Sequence, residues 1–106
     1  MKARTASQET LYRLLTFLSE HPEASQREVA RELGVSVGKV NYCVKELIAQ
    51  GWVRRHNYRY LLTAKGRDEK VQVTSDFLRR RLNEYEQLTV EIARLRREVS
   101  ASKRAR

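Results

Sequence analysis

From Arg67 to Arg106 the chain carries neither glycine nor proline over 40 residues. The residues that most reliably interrupt a helix are missing there, so the stretch predicts one long helix. About 35 helical residues span on the order of 50 Å, too long for a domain of some 60 residues to cover. Such a helix expects a partner. The front of the chain is built the opposite way, because His21-Pro22, Gly34, Gly38, Gly51, His56-Asn57 and Gly66 cut it into short periodic segments. The expected fold class is therefore mainly α with a small β-hairpin. A compact unit occupies 1–66, a long helix 67–99 and a basic disordered tail 100–106.

Several classes of protein fall away on residue counts. No apolar run approaches the roughly 18 residues that a membrane-crossing helix needs, and Met1-Lys2-Ala3-Arg4-Thr5 leads into amphipathic sequence without a signal peptide's apolar stretch. A cytoplasmic location is expected. Cys43 is the single cysteine and is far in sequence from His21 and His56, so neither a disulfide framework nor a metal site is expected. There is also no paired carboxylate arrangement, Ser/His/Asp set or phosphate-binding glycine loop, and the expectation is a binding protein without cofactor rather than an enzyme. The net charge of +9 favours a polyanionic partner. With 11 basic and 6 acidic residues in 1–66, and 11 and 7 in 67–106, the excess is spread. Position has to decide its use.

In the first segment Leu11, Leu14, Leu15 and Leu18 recur at helical steps, predicting a helix over about 6–20 with Thr5-x-x-Gln8 as a capping box. His21-Pro22 ends it, since the residue before proline is pushed out of the α region. The second helix opens at Ser25-x-x-Glu28, carries Val29, Ala30 and Leu33 inward, and stops at Gly34. Ser36 then caps a third helix over about 36–50, with Val40, Val44, Leu47 and Ile48 inward and Cys43 beside them as a small buried hydrophobe. Two helices joined by three or four residues, the second with a polar outer face, form a helix-turn-helix pattern. An ordinary packed pair of helices fits the same spacing. After Gly51, Trp52-Val53-Arg54-Arg55 and Tyr58-Arg59-Tyr60-Leu61-Leu62-Thr63 read as two strands around a His56-Asn57 turn. A hairpin with arginines at its tip, placed straight after a helix-turn-helix, has the form of a winged-helix DNA reader. A solvated surface hairpin is the plainer alternative.

Ser36-x-x-Lys-Val40-x-x-x-Val44-x-x-Leu47-x-x-x-Gly51-Trp52-Val53-Arg54-Arg55, followed by Leu62-Thr63-x-x-Gly66, resembles the winged helix of MarR-type transcriptional regulators. The likeness runs from about Leu11 to Gly66. The short chain and long basic tail are also similar to a compact MarR-like group associated with exopolysaccharide gene clusters. The resemblance implies a dimeric, sequence-specific bacterial DNA-binding regulator. Ordinary members are longer, with terminal helices that interlace and often enclose a small-molecule pocket. Only some five residues precede the first helix in this sequence, so a small-molecule effector is not expected.

On a recognition helix the N-terminal half approaches the base edges, which singles out Ser36, Val37, Gly38, Lys39, Asn41 and Tyr42. Lys39 suits guanine O6/N7, Asn41 suits a bidentate pair with adenine N6/N7, and Val37 suits a thymine methyl. Gly38 allows close backbone approach, while the Tyr42 ring could instead pack on the wing. Lys45, Arg54, Arg55 and Arg59 are expected at phosphates, as are Ser25, Gln26 and Arg27 at the start of the second helix.

Along the tail a heptad places Val71, Leu78, Tyr85, Ile92 and Val99 at one core position, and Thr74, Arg81, Leu88 and Leu95 at the other. Leu82 broadens the seam where Arg81 interrupts it. Glu91 with Arg96, and Glu98 with Lys103, lie five residues apart, the step that pairs opposite charges between parallel chains. The expected assembly is thus a homodimer through the C-terminal helix, bound as a regulator, with repression the expected action, to an inverted repeat of double-stranded DNA. A protein-interaction adaptor or a nonspecific nucleic-acid binder would use the same surfaces.

Overall fold

The computed structural model describes residues 7–104. Three short helices come first: α1 (Gln8–Glu20), α2 (Gln26–Leu33) and α3 (Val37–Ala49). A two-stranded hairpin follows, β1 (Val53–His56) and β2 (Arg59–Leu62), and then α4 (Ala64–Arg104). The mainly α architecture with its winged helix-turn-helix and long last helix is as the sequence predicts.

Local chemistry fixes each boundary. Ser7 caps α1, its hydroxyl accepting from the Thr10 N–H at 3.1 Å. The helix therefore begins at Gln8, later than expected; the Thr5 half of the expected box lies outside the described residues. At the other end the His21 N–H closes on the Phe17 carbonyl at 2.7 Å before Pro22 prevents continuation. The Ser25–Glu28 capping box of α2 forms in both directions: the Ser25 N–H donates to Glu28 Oε1 at 2.8 Å, and the Glu28 N–H to Ser25 Oγ at 3.1 Å. Gly34 ends α2 at φ 71°, a left-handed conformation that a Cβ would penalise. Arg13 of α1 reaches across to the last carbonyls of α2, donating to Glu32 O at 3.0 Å and Leu33 O at 3.3 Å.

The core lies between α1, α2, α3 and the base of the hairpin. Leu14, Leu15, Leu18, Val29, Val44 and Leu47 are its most deeply buried members, each contributing about 1.5–3 kcal/mol by leaving water. Cys43 is buried among them as expected. Ile48 is not, being 40% exposed: the buried face of α3 follows Val40, Cys43, Val44 and Leu47, and Ile48 falls one step outside it.

In the hairpin Val53 pairs with Leu62, Arg55 with Tyr60 and His56 with Arg59. The turn is Asn57-Tyr58 rather than His56-Asn57: both residues have positive φ, at 49° and 67°, as a type I′ hairpin turn requires. Beyond β2, Thr63 acts as a latch. Its hydroxyl accepts from the Gly66 N–H at 2.9 Å and donates to the Gly51 carbonyl, while its own N–H donates to Trp52 O at 2.9 Å. Gly66 packs so closely on the Trp52 backbone that any Cβ would overlap the Trp52 carbonyl. These contacts explain why Gly51-Trp52 and Leu62-Thr63-x-x-Gly66 occur together.

The fourth helix starts at Ala64, three residues before the expected position, because Thr63 nucleates it. It also continues to Arg104, so residues 100–104 are helical and not the expected disordered tail. Nothing in that stretch breaks a helix, and Lys103 and Arg104 complement its C-terminal dipole. Only its first half meets the domain. Val73 is buried, Phe77 stacks on Tyr12 with centroids 5.2 Å apart, and Arg81 pairs with Glu9 at 3.3 Å. From Leu78 to Arg104 every residue is exposed, and the molecule measures 70 × 26 × 23 Å.

Candidate nucleic-acid interface

Because α3 buries Val40, Cys43, Val44 and Leu47, its geometry forces the residues between them outward. Val37, Gly38, Tyr42 and Lys45 are exposed, and Lys39 and Asn41 are half-buried. Val37 and Tyr42 are 45% and 49% exposed. Ser36 is exposed too, though its Oγ is engaged as the cap of α3, accepting from the Lys39 N–H at 3.0 Å. Sequence reasoning placed these side chains on one outer face, and the helix leaves that face free of core packing.

The N-terminus of α2 divides its three candidates. Arg27 is exposed, and Ser25 is exposed with its hydroxyl committed to the capping box. Gln26 is half-buried, and its side-chain Nε2 donates both to Asn41 Oδ1 at 3.3 Å and to the Tyr60 hydroxyl at 3.0 Å. A single amide thus joins α2, α3 and β2. Tyr60 itself is buried, and its backbone N–H donates to Pro22 O at 3.0 Å, tying the outer strand to the turn before α2. Sequence reasoning missed this cluster; its members lie 15 and 34 residues apart, and no local pattern marks them. The Asn41 oxygen expected at an adenine already has a protein donor.

On the wing, Arg54, Arg55, His56 and Arg59 are all exposed. Arg55 lies over aromatic faces, its guanidinium carbon 5.5 Å from the Tyr60 centroid and 6.0 Å from that of Tyr58. An exposed contact of this kind contributes about 0.5–1 kcal/mol, enough to restrict the side chain without neutralising it. Glu28 carries a negative charge at the start of α2. The Ser25 N–H and hydroxyl hold its carboxyl below the usual carboxylate range, with smaller help from Arg31 and His21. Among the described residues no group of His, Cys, Asp and Glu is placed to hold a metal ion.

The proposed seam residues Val71, Leu78, Leu82, Tyr85, Leu88, Ile92, Leu95 and Val99 are all exposed, by 40–70%. Arg81, the interruption in the heptad, belongs to the other face of α4, where Glu9 and Glu84 pair with it and Phe77 lies beneath it at 4.9 Å. An open groove of about 590 Å³ separates the end of α1 from α4 and includes Ser19, Leu62, Arg67 and Lys70. Val71 and Leu78 of the seam form part of its wall. No helix among the described residues is long and apolar enough to cross a membrane.

A three-helix core whose second and third helices make a helix-turn-helix, followed by an arginine-bearing hairpin, defines a winged helix-turn-helix domain. Residues 7–54 match the family of winged helix-turn-helix DNA-binding domains. Among solved structures, a MarR family protein from Mycobacterium tuberculosis is 31% identical with a TM-score of 0.53, over 62% of this chain and 52% of that one. A protein of unknown function from Listeria innocua is 23% identical with a TM-score of 0.54, over 68% and 52% of the two chains. A MarR/EmrR family transcriptional regulator from Acinetobacter is 24% identical with a TM-score of 0.54, over 84% and 72%. The chain spans about half the length of the first two, and the last two share its fold. The resemblance of the front of this chain to MarR-type winged helices is thereby borne out. No curated protein matches the sequence significantly.

Proposed function

We propose that the chain is a transcriptional regulator that binds a specific duplex DNA sequence as a homodimer and represses by occupying it. The observation that carries this reading is the exposed outer face of α3 beside an arginine-rich wing, the two held as neighbours through Gln26. Val37, Gly38, Lys39, Asn41 and Tyr42 face base edges, while Lys45, Arg54, Arg55 and Arg59 meet phosphates. Arg27 and the start of α2 add a further phosphate contact. Dimerisation through the free half of α4 is supported by its unpartnered apolar stripe. Parallel pairing would set both winged helices at the same end, with half-sites about 34 Å apart.

The test is footprinting of the full-length protein on the region upstream of its own gene, followed by titration of the protected duplex and a scrambled one. Selective protection of an inverted repeat is expected. With five basic side chains per protomer near phosphate, the log–log salt slope should be on the order of −5 or steeper. Equal affinity for cognate and scrambled duplex would overturn the regulator reading in favour of nonspecific binding or a protein-docking role.

A further inference from the structure

We infer that Gln26 is a positioning residue that sets which base Asn41 can read. The inference rests on the DNA-binding reading above and narrows it to one hydrogen-bonding edge. An asparagine amide presents an oxygen that accepts and a nitrogen that donates, and pairing with adenine needs both on one side. In this structure Oδ1 is turned toward Gln26 Nε2 at 3.3 Å, and the same Nε2 is anchored at 3.0 Å by the buried Tyr60 hydroxyl. Reversing Gln26 alone would place its oxygen against Asn41 Oδ1; only both amides turning together, with the Tyr60 hydroxyl switching from acceptor to donor, keeps the bonds, so the setting of one amide dictates that of the other. Among the described residues only Thr16 Oγ1 is a buried side-chain polar atom without a partner, which leaves Asn41 Nδ2 open to solvent. In the setting seen here, Asn41 reaches DNA as a donor. The matching edge is guanine, whose N7 and O6 both accept, rather than adenine, which offers one acceptor and one donor.

The geometry makes an unusual demand on substitutions at Gln26, a side chain that need not touch a base. In Gln26→Glu a carboxylate replaces the donor; Tyr60 can still donate to it, and Asn41 must turn its Nδ2 inward to satisfy it. The Asn41 oxygen then faces outward as an acceptor, matching cytosine N4 or adenine N6. Asn41→Asp reaches the same end directly, since Gln26 still donates to one carboxylate oxygen and the other is presented outward.

The experiment is selection of preferred sites from a randomised duplex pool by the full-length protein and by Asn41→Ala, Gln26→Glu, Asn41→Asp and Tyr60→Phe, each checked by thermal melting. The base pair at which Asn41→Ala loses discrimination is the one Asn41 reads. The unmodified protein should favour guanine there by about tenfold. Both Gln26→Glu and Asn41→Asp should shift the preference at that pair alone to cytosine or adenine. Tyr60→Phe should weaken the preference without reversing it. A structural role for Gln26 would lower the melting temperature and total affinity while leaving the base preference unmoved. That result, or an adenine preference in the unmodified protein, overturns the assignment to Gln26 while leaving DNA reading intact. A flat site profile for the unmodified protein overturns both.

Discussion

Leucine and valine do two different things in the two ends of this molecule. In the front domain Leu14, Leu15, Leu18 and Leu47 are at most 1% exposed, whereas in the outer half of α4 Leu82, Leu88, Leu95 and Val99 are about half exposed. The difference does not lie in periodicity, since both sets follow helical spacing. It lies in what stands opposite. Three helices and a hairpin fold back on one another in front, and among the described residues none covers the stretch from 82 to 104. A stripe at helical spacing thus identifies a buried face without saying whether the covering surface belongs to the same chain.

The sharpest way to separate the two ends is to damage each. Leu47→Ala removes side-chain volume from a fully covered site and should cost about 2–5 kcal/mol of stability in urea unfolding, with the same loss at low and high protein concentration. The paired change Leu88→Glu with Leu95→Glu should leave that core intact and convert the proposed dimer to monomer in sedimentation. Affinity for an inverted repeat should then fall about a hundredfold or more as bivalence is lost, while a single half-site keeps its weaker binding. A variant that stays dimeric would show that some other surface joins the protomers.

Within the front domain the helix ends were legible because their chemistry is local. Ser25 with Glu28, Gly34 and Ser36 each act within a few residues, and the structure uses them as the spacing predicts. The hairpin turn was misplaced by one residue because the sequence offers no glycine there; Tyr58 adopts positive φ, which its composition would not suggest. The Gln26–Asn41–Tyr60 cluster could not be read at all, since it joins three elements that only the tertiary fold brings together. In the tail the heptad marked a stripe of apolar residues, and the structure leaves that stripe exposed. The place of Arg81 was not legible, because its partner Glu9 lies 72 residues away.

Tyr58 also tests whether the wing follows the economy of the core. A tyrosine at φ 67° is strained, yet it remains 83% exposed at the tip with Arg55 above it. Tyr58→Gly would give an Asn-Gly turn suited to this hairpin and should stabilise the domain by about 0.5–1 kcal/mol. The same change should weaken duplex binding by removing one of the rings that orient Arg55. Unchanged affinity with raised stability would show that the strain serves nothing at the DNA.

The smallest expected effect concerns acid, and it belongs to the front domain alone. The Ser25 hydrogen bonds hold the Glu28 carboxyl below its ordinary range, so folding favours its charged form. A carboxyl depressed in this way contributes stability that is present above the unfolded pKa and lost as pH falls through the folded one. Glu28→Gln keeps an acceptor in the capping box but cannot titrate. The unmodified protein should therefore be slightly more stable than Glu28→Gln at pH 7, with the gap closing as pH falls and the carboxyl protonates. Urea unfolding of the two proteins across pH 3–7 measures this, and the gap should not depend on protein concentration. A constant difference at every pH would place the stabilisation in the hydrogen bonds and not in the charge. A difference that grows with dilution would mean that the end of α2 senses the pairing of the distant helix, and the two regions would not be independent.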